Sequence, residues 1–211
     1  SADKFSYISN GVVVNDWLNS QQSMPDEHLK LFQELRAQGK FVLAYAGGMG
    51  DANALDYLLD ACNLIDPQVA LLLVGDGPNK ARLIERVQQE NLQNVHFMPA
   101  IGKMQIPAFL NACDALYIGW NNLPIYRFGI CPNKLFDYML AAKPIIHSVT
   151  AGNDLVRDAD CGYSVAAEDV SAIAAAINQV SQLAQLERAE LGARGKTYVL
   201  QQHDYAILAQ K

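Results

Sequence analysis

The chain has 211 residues, 51% of them hydrophobic and 18% charged, which is enough to bury a sizeable core without help from disulfides or metals. A net charge of -6 argues against a broad nucleic-acid surface, so any phosphate recognition must come from a few local cations and from backbone amides. The cysteines Cys62, Cys113, Cys131 and Cys161 lie far apart without paired spacing, which fits neither a zinc site nor a secreted disulfide framework and points to a reducing cytoplasm.

Apolar runs such as Val69 to Val74 are far shorter than the roughly 20 residues of a membrane span, and no signal-peptide pattern opens the chain. Peripheral contact with a membrane stays open. The chain starts Ser1-Ala2 without an initiating methionine, so an excised or processed segment with a missing upstream partner is expected.

Phe5 to Asn10 is a short, partly apolar segment closed by the turn signal Asn10-Gly11, and Glu27 to Ala37 is a polar helix with Leu29, Phe32 and Leu35 inward. Phe41 to Ala46 is a continuous apolar run, the pattern of a parallel strand buried on both faces. Gly47-Gly48-Met49-Gly50 follows, then a helix with Leu55, Leu58, Leu59 and Cys62 at helical spacing. The same order recurs in strand Val69 to Val74, loop Gly75-Asp76-Gly77-Pro78 and a helix through Leu83, Ile84 and Val87. A third unit comprises strand Val95 to Met98, loop Pro99 to Gly102, helix Met104 to Cys113 and strand Ala115 to Gly119.

Beyond these, Phe128 to Pro132 reads as a bent apolar loop, and Asn133 to Met139 as a helix with one cation and one anion in its first turns. Lys143-Pro144 ends that helix, because proline disfavours helical geometry in the residue before it. A strand from Pro144 to Val149, a short helix from Asn153 to Asp160, a strand from Tyr163 to Ala166, a helix from Asp169 to Leu183 and a helical tail complete the chain. Repeated strand–helix–strand units predict an α/β fold, a Rossmann-like open parallel sheet with helices on both faces, in one domain.

In such sheets ligands bind at the carboxyl ends of the strands. Gly47, Gly48 and Gly50 can bring backbone amides close to a phosphate and aim the following helix at it. A dinucleotide-binding module is one reading, with Gly48-Met49-Gly50 as the start of the fingerprint and Asp76 as the ribose acid. The third glycine is absent, since position 53 is Asn53, and Gly77-Pro78 turns the chain directly after Asp76.

A larger share of the chain resembles the carboxy-terminal, donor-binding domain of family 4 glycosyltransferases with the GT-B fold, in the branch that makes bacterial surface polysaccharides. The likeness rests on Asn10-Gly11-Val12, Tyr45 to Gly50 with Ala54-Leu55, Leu73 to Pro78, Val95 to Pro99, and above all Phe128 to Met139 followed by Ala142 to Ile146. It implies one half of a GT-B enzyme, with residues 1–211 binding the nucleotide-sugar donor and an amino-terminal acceptor domain lying outside this chain.

It also implies roles. Asp137 accepts the ribose hydroxyls, as a carboxylate suits two donors. Arg127 and Lys134 neutralise the diphosphate and the departing nucleotide, and so carry the catalysis. Phe128, Gly129, Ile130, Cys131, Pro132, Asn133 and Leu135 border the sugar or its phosphates, while Gly47, Gly48, Gly50, Asp76, Met98 and Pro99 line the nucleotide.

Two departures stand out. Many relatives carry two glutamates separated by seven residues; Asp137 replaces the second and Gly129 occupies the place of the first. Many also have an arginine and a lysine after the first glycine loop, where this chain has Asp51-Ala52-Asn53. His28, His96, His147 and His203 are dispersed, so neither metal nor cofactor is expected, and the nucleotide sugar is a substrate. The reaction implied is sugar transfer, with retained anomeric configuration, from a UDP-sugar to a glycan or lipid-linked acceptor. Its setting is cytoplasmic, at or near the inner face of the inner membrane, and the isolated chain is expected to be inactive. The alternatives are an epimerase of the same two-domain architecture and a noncatalytic nucleotide- or NAD-binding module.

Overall fold

The structure is a computed structural model and describes residues 8–20 and 22–210. The first part of the Phe5 to Asn10 segment, residues 5–7, lies outside the described residues. Six strands form one sheet: β1 (Phe41–Ala46), β2 (Val69–Val74), β3 (Val95–Met98), β4 (Ala115–Gly119), β5 (Ile145–Ser148) and β6 (Gly162–Val165). Every pairing is parallel and the order is β3-β2-β1-β4-β5-β6, so the chain runs outward from β1 in one direction and then in the other. That reversal makes a switch point between β1 and β4, where the loops leaving the two strands diverge and open a crevice.

The helices are α1 (Val14–Leu18), α2 (Asp26–Ala37), α3 (Leu55–Ala61), α4 (Lys80–Gln89), α5 (Ile106–Ala112), α6 (Asn133–Leu140), α7 (Leu155–Asp158), α8 (Val170–Gln182), α9 (Gln185–Gln202) and α10 (Tyr205–Leu208). Because side chains alternate along a strand, Val42, Ala44 and Ala46 of β1 pack into one core with α2, α5, α6 and α7, while Leu43 and Tyr45 pack into a second with α3, α4 and α8. The apolar runs of the sequence are thus explained by two covered faces.

Some expected boundaries shift for local reasons. Leu29 is exposed, and the inward row of α2 is His28, Phe32 and Leu35, with His28 Nε2 bonded to the Pro99 carbonyl at 3.1 Å. The helix expected over Met104 to Cys113 is a 3-10 turn at Lys103–Gln105 followed by α5, whose first turn holds Pro107. The helix expected from Asn153 starts at Leu155, because the Asp154 side chain caps it by accepting from the Val156 and Arg157 amides.

One contact sets the geometry of the crevice. β4 pairs with β1 only at Leu43 and Ala44, so beyond this point the N–H and C=O of Ala46 on that edge have no strand partner. The Tyr138 hydroxyl of α6 takes their place, accepting from the Ala46 amide at 2.7 Å and donating to its carbonyl at 3.1 Å. Tyr138 is 1% exposed, so α6 is docked onto the end of β1 by a fully buried bond pair. Tyr138→Phe leaves two buried backbone groups unsatisfied and is expected to lower stability by about 1–3 kcal/mol, measurable as a shift in urea midpoint.

Candidate functional site

The loops after β1 and β2 interlock. The Gly47 amide donates to the Val74 carbonyl at 2.9 Å, Met49 N–H to the Asp76 carbonyl at 2.8 Å, and Asn79 N–H to the Met49 carbonyl at 3.0 Å. A Cβ on Gly75 would collide with the Gly47 carbonyl oxygen, and Gly75 has a φ of 141° that only glycine adopts readily. The amides of Gly48 and Gly50 have no backbone acceptor among the described residues, Gly48 being exposed and Gly50 half-buried. Gly47, Gly48 and Asp76 line a pocket of about 230 Å³ with Gly75, Ala100 and Ile101. Asp76 also caps its own turn, its Oδ1 accepting the Gly77 amide at 2.8 Å, as its turn setting implied.

Helix α6 brings the charged pair of the motif to this rim. Lys134 reaches over the end of β1, past Gly47, and its Nζ donates to the Tyr45 hydroxyl at 2.7 Å and to Asn53 Oδ1 at 3.0 Å. The amine lies 4.4 Å from the Tyr45 ring centre, and a Cβ on Gly47 would sit 2.6 Å from it, so a glycine is needed for the lysine to pass. Neither partner is a carboxylate. Burial pushes the amine down from its usual range to about 8.

Asp137, one turn later, lines a cavity of about 320 Å³ with Asn133, Lys103, Met104, Trp17 and Tyr205. Burial raises its carboxyl to about 6, against a smaller opposing effect of the Lys103 charge. The helix therefore presents a cation held ready to lose its proton and an acid held ready to gain one, each short of a charged partner. Asn133, exposed at the start of α6, accepts from the Asn10 side chain, which ties the Asn10-Gly11 turn to the motif. No side chain caps the amino end of α6, where Pro132 precedes the helix. Its first amides are thus available to an anion.

The remaining expected residues divide by position. Pro124–Phe128 is a 3-10 turn carrying Arg127 and Phe128 at the surface, with the guanidinium 4.6 Å from the Phe128 ring centre and Phe128 75% exposed. Gly129 has a φ of 102°, and Ile130, Cys131 and Pro132 continue half-buried into α6. Leu135 is 1% exposed and belongs to the core beneath the site. Met98 ends β3 and Pro99 follows it; the Met98 carbonyl accepts from Lys80 Nζ at 3.3 Å and the Pro99 carbonyl meets His28.

Sequence reasoning missed Tyr45, Asn53, Lys80 and Lys103 as neighbours of the expected residues. Tyr45 reads as one more apolar strand position, and Asn53 as a failed glycine. Among the described residues no group of three or more His, Cys, Asp or Glu side chains is placed to hold a metal ion, and no helix is long and apolar enough to cross a membrane.

The fold and this rim define one Rossmann-like half of a GT-B architecture. The structure of HepE from Anabaena in complex with UDP-glucose superposes with a TM-score of 0.77 at 22% identity, covering 100% of this chain and 56% of that one. WaaG, a glycosyltransferase involved in lipopolysaccharide biosynthesis, gives a TM-score of 0.72 at 14% identity, with the same coverages of 100% and 56%. The family profile of glycosyl transferases group 1 matches residues 40–182, and the chain belongs to that family. A curated relative, the putative colanic acid biosynthesis glycosyl transferase WcaI of Escherichia coli (strain K12), is 25% identical over 185 residues, 83% of this chain and 40% of that protein. The chain thus spans about half the length, or less, of these proteins.

In an NMR titration of labelled lysine side chains, one amine is expected to titrate at about 8 and to vanish in Lys134→Met. A Lys134 signal at the usual value of about 10.4 would show the amine to be fully solvated.

Proposed function

We propose that the chain is the donor-binding, carboxy-terminal half of a retaining glycosyltransferase. It takes a UDP-sugar and works opposite an amino-terminal acceptor domain in cell-surface polysaccharide synthesis. The observation that carries this reading is the placement of Lys134 and Asp137 by α6. The amine stands against the glycine loop, where a diphosphate would meet the unpaired amides of Gly48 and Gly50 and the start of α6. The carboxyl stands one turn further along, in a cavity open to a nucleoside. HepE is solved with UDP-glucose and with UDP and glucose, which supports the choice of donor class.

In this reading the diphosphate restores the proton to Lys134, since an anion beside a desolvated amine favours its charged form. Arg127 swings from the Phe128 ring to share the load. Together with the α6 dipole they stabilise the charge that develops on the departing nucleotide, without a metal or other cofactor. Asp137 binds as the carboxylate and accepts from the ribose hydroxyls. The acceptor is a glycan or lipid-linked saccharide, brought by the other domain at the cytoplasmic face of the membrane. The isolated chain then binds donor without turning it over.

UDP-glucose suits a pH series, because its diphosphate diester does not titrate between pH 5 and 9. Calorimetry with UDP-glucose, GDP and NAD is expected to show saturable UDP-glucose binding; binding of NAD alone would sink the reading. Affinity should fall as pH drops through about 6, where Asp137 takes up a proton, and again as pH rises through about 8, where free Lys134 loses one. Asp137→Ala is expected to weaken UDP-glucose about tenfold, the scale of hydrogen bonds to a charged acceptor, and to abolish the acid limb. Its thermal stability should change little, since the buried carboxylate is itself costly when ionised.

A further inference from the structure

The loop Tyr126 to Ile130 is held from behind by two consecutive residues that follow β5, Gly152 and Asn153. The Gly152 amide donates to the Tyr126 carbonyl at 2.9 Å, and a Cβ on Gly152 would collide with the Arg127 carbonyl oxygen, so the two segments touch backbone to backbone. Asn153 grips the next residue at both ends. Its Oδ1 accepts the Ile130 amide at 2.7 Å, and its Nδ2 donates to the Ile130 carbonyl at 2.9 Å. The side chain imitates a neighbouring strand for one residue of loop. Asp154 anchors the unit: it is 4% exposed, caps α7, and receives His147 Nδ1 of β5 at 2.9 Å.

The grip falls where the loop is least able to hold itself. Gly129 sits at φ 102°, a region that side-chain-bearing residues rarely enter, and a Cβ there would lie 3.1 Å from Asn153 Oδ1. Ile130 has no strand partner, and Phe128 is 75% exposed. A carboxamide offers the Ile130 N–H an acceptor and the Ile130 carbonyl a donor from one planar group, whereas the carboxylate of an aspartate would meet that carbonyl with a second acceptor.

We propose that Asn153 is a positioning residue for the diphosphate and sugar end of the donor. By gripping Ile130 it presets the backbone of Gly129 to Pro132, and with it the amino end of α6, in the shape that receives the phosphates. The ordering cost is met during folding instead of at each binding event. The nucleoside end is served by Asp137, one turn further along α6, and by the neighbouring cavity, whose lining includes no residue from Gly129 to Pro132. This inference rests on the donor reading above.

The test compares UDP-glucose with uridine on wild type, Asn153→Ala and Asn153→Asp, by calorimetry, alongside amide hydrogen exchange. Both variants are expected to bind UDP-glucose at least tenfold more weakly and uridine within twofold of wild type. Exchange should quicken over residues 128–131 and stay unchanged in the strands. Equal losses for the two ligands, or no loss, would overturn the proposal, as would unchanged exchange at Ile130. If wild type binds neither ligand, the donor reading fails first and the role of Asn153 falls with it. A variant that unfolds shows fast exchange in β1 and β4 as well; in that case Asn153→Gln, which keeps both polar groups on a longer arm, must recover the fold without recovering UDP-glucose affinity, and recovery of both overturns the proposal.

Discussion

The bond pair between the Tyr138 hydroxyl and Ala46 is the contact on which the rest of the site depends. A parallel sheet that reverses its winding must let two strands diverge, and the backbone groups exposed by the divergence need partners. Here a tyrosine from α6 supplies both. The answer to a hydrogen-bonding debt in the sheet is therefore also what fixes α6 in space. Lys134, one turn before Tyr138, is carried over the end of β1, and Asp137, adjacent to Tyr138 in the chain, is carried to the cavity lined by Asn133 and Lys103.

Burial gives these two residues their chemistry. Each is desolvated without gaining a charged partner: the amine meets a hydroxyl and a carboxamide, and the carboxyl meets only the more distant charge of Lys103. Such groups are costly in the empty protein, and a ligand carrying the complementary group relieves the cost. The contrast with the surface network of Arg82 and Arg86 with Asp56 and Asp60 is instructive. There every charge is already paired across α3 and α4, and nothing is left to attract a ligand.

The central strands β1, β2 and β4 were legible because each is a short apolar run, the pattern that a parallel sheet covered on both faces demands, while the edge strands β3 and β6 are shorter and less buried and were marked more by the turns around them. Helix ends were less so. Asp154 looked like part of a helix and is its cap; Leu29 looked inward by hydrophobicity, yet the polar His28 holds that place because it finds the Pro99 carbonyl. Lys134 and Asp137 stood out through the motif around them, and so did the glycine loop. Tyr45, Asn53 and Asn153 did not, since a tyrosine in an apolar run and two asparagines in turns carry no local mark of a distant partner.

By itself the sequence determined the alternation of strands and helices, the glycines at which backbones could close on one another, and the presence of an acid and a base one turn apart on one helix. These are local matters, decided by side-chain volume, backbone freedom and helical period. Only the tertiary structure decided that Gly47 lies under Lys134, that Ile130 is gripped from 23 residues away, and that burial shifts the lysine down and the aspartate up. Contacts across the sheet depend on strand order and register, and proton affinities depend on how much water those contacts exclude; neither is a property of any stretch of chain taken alone.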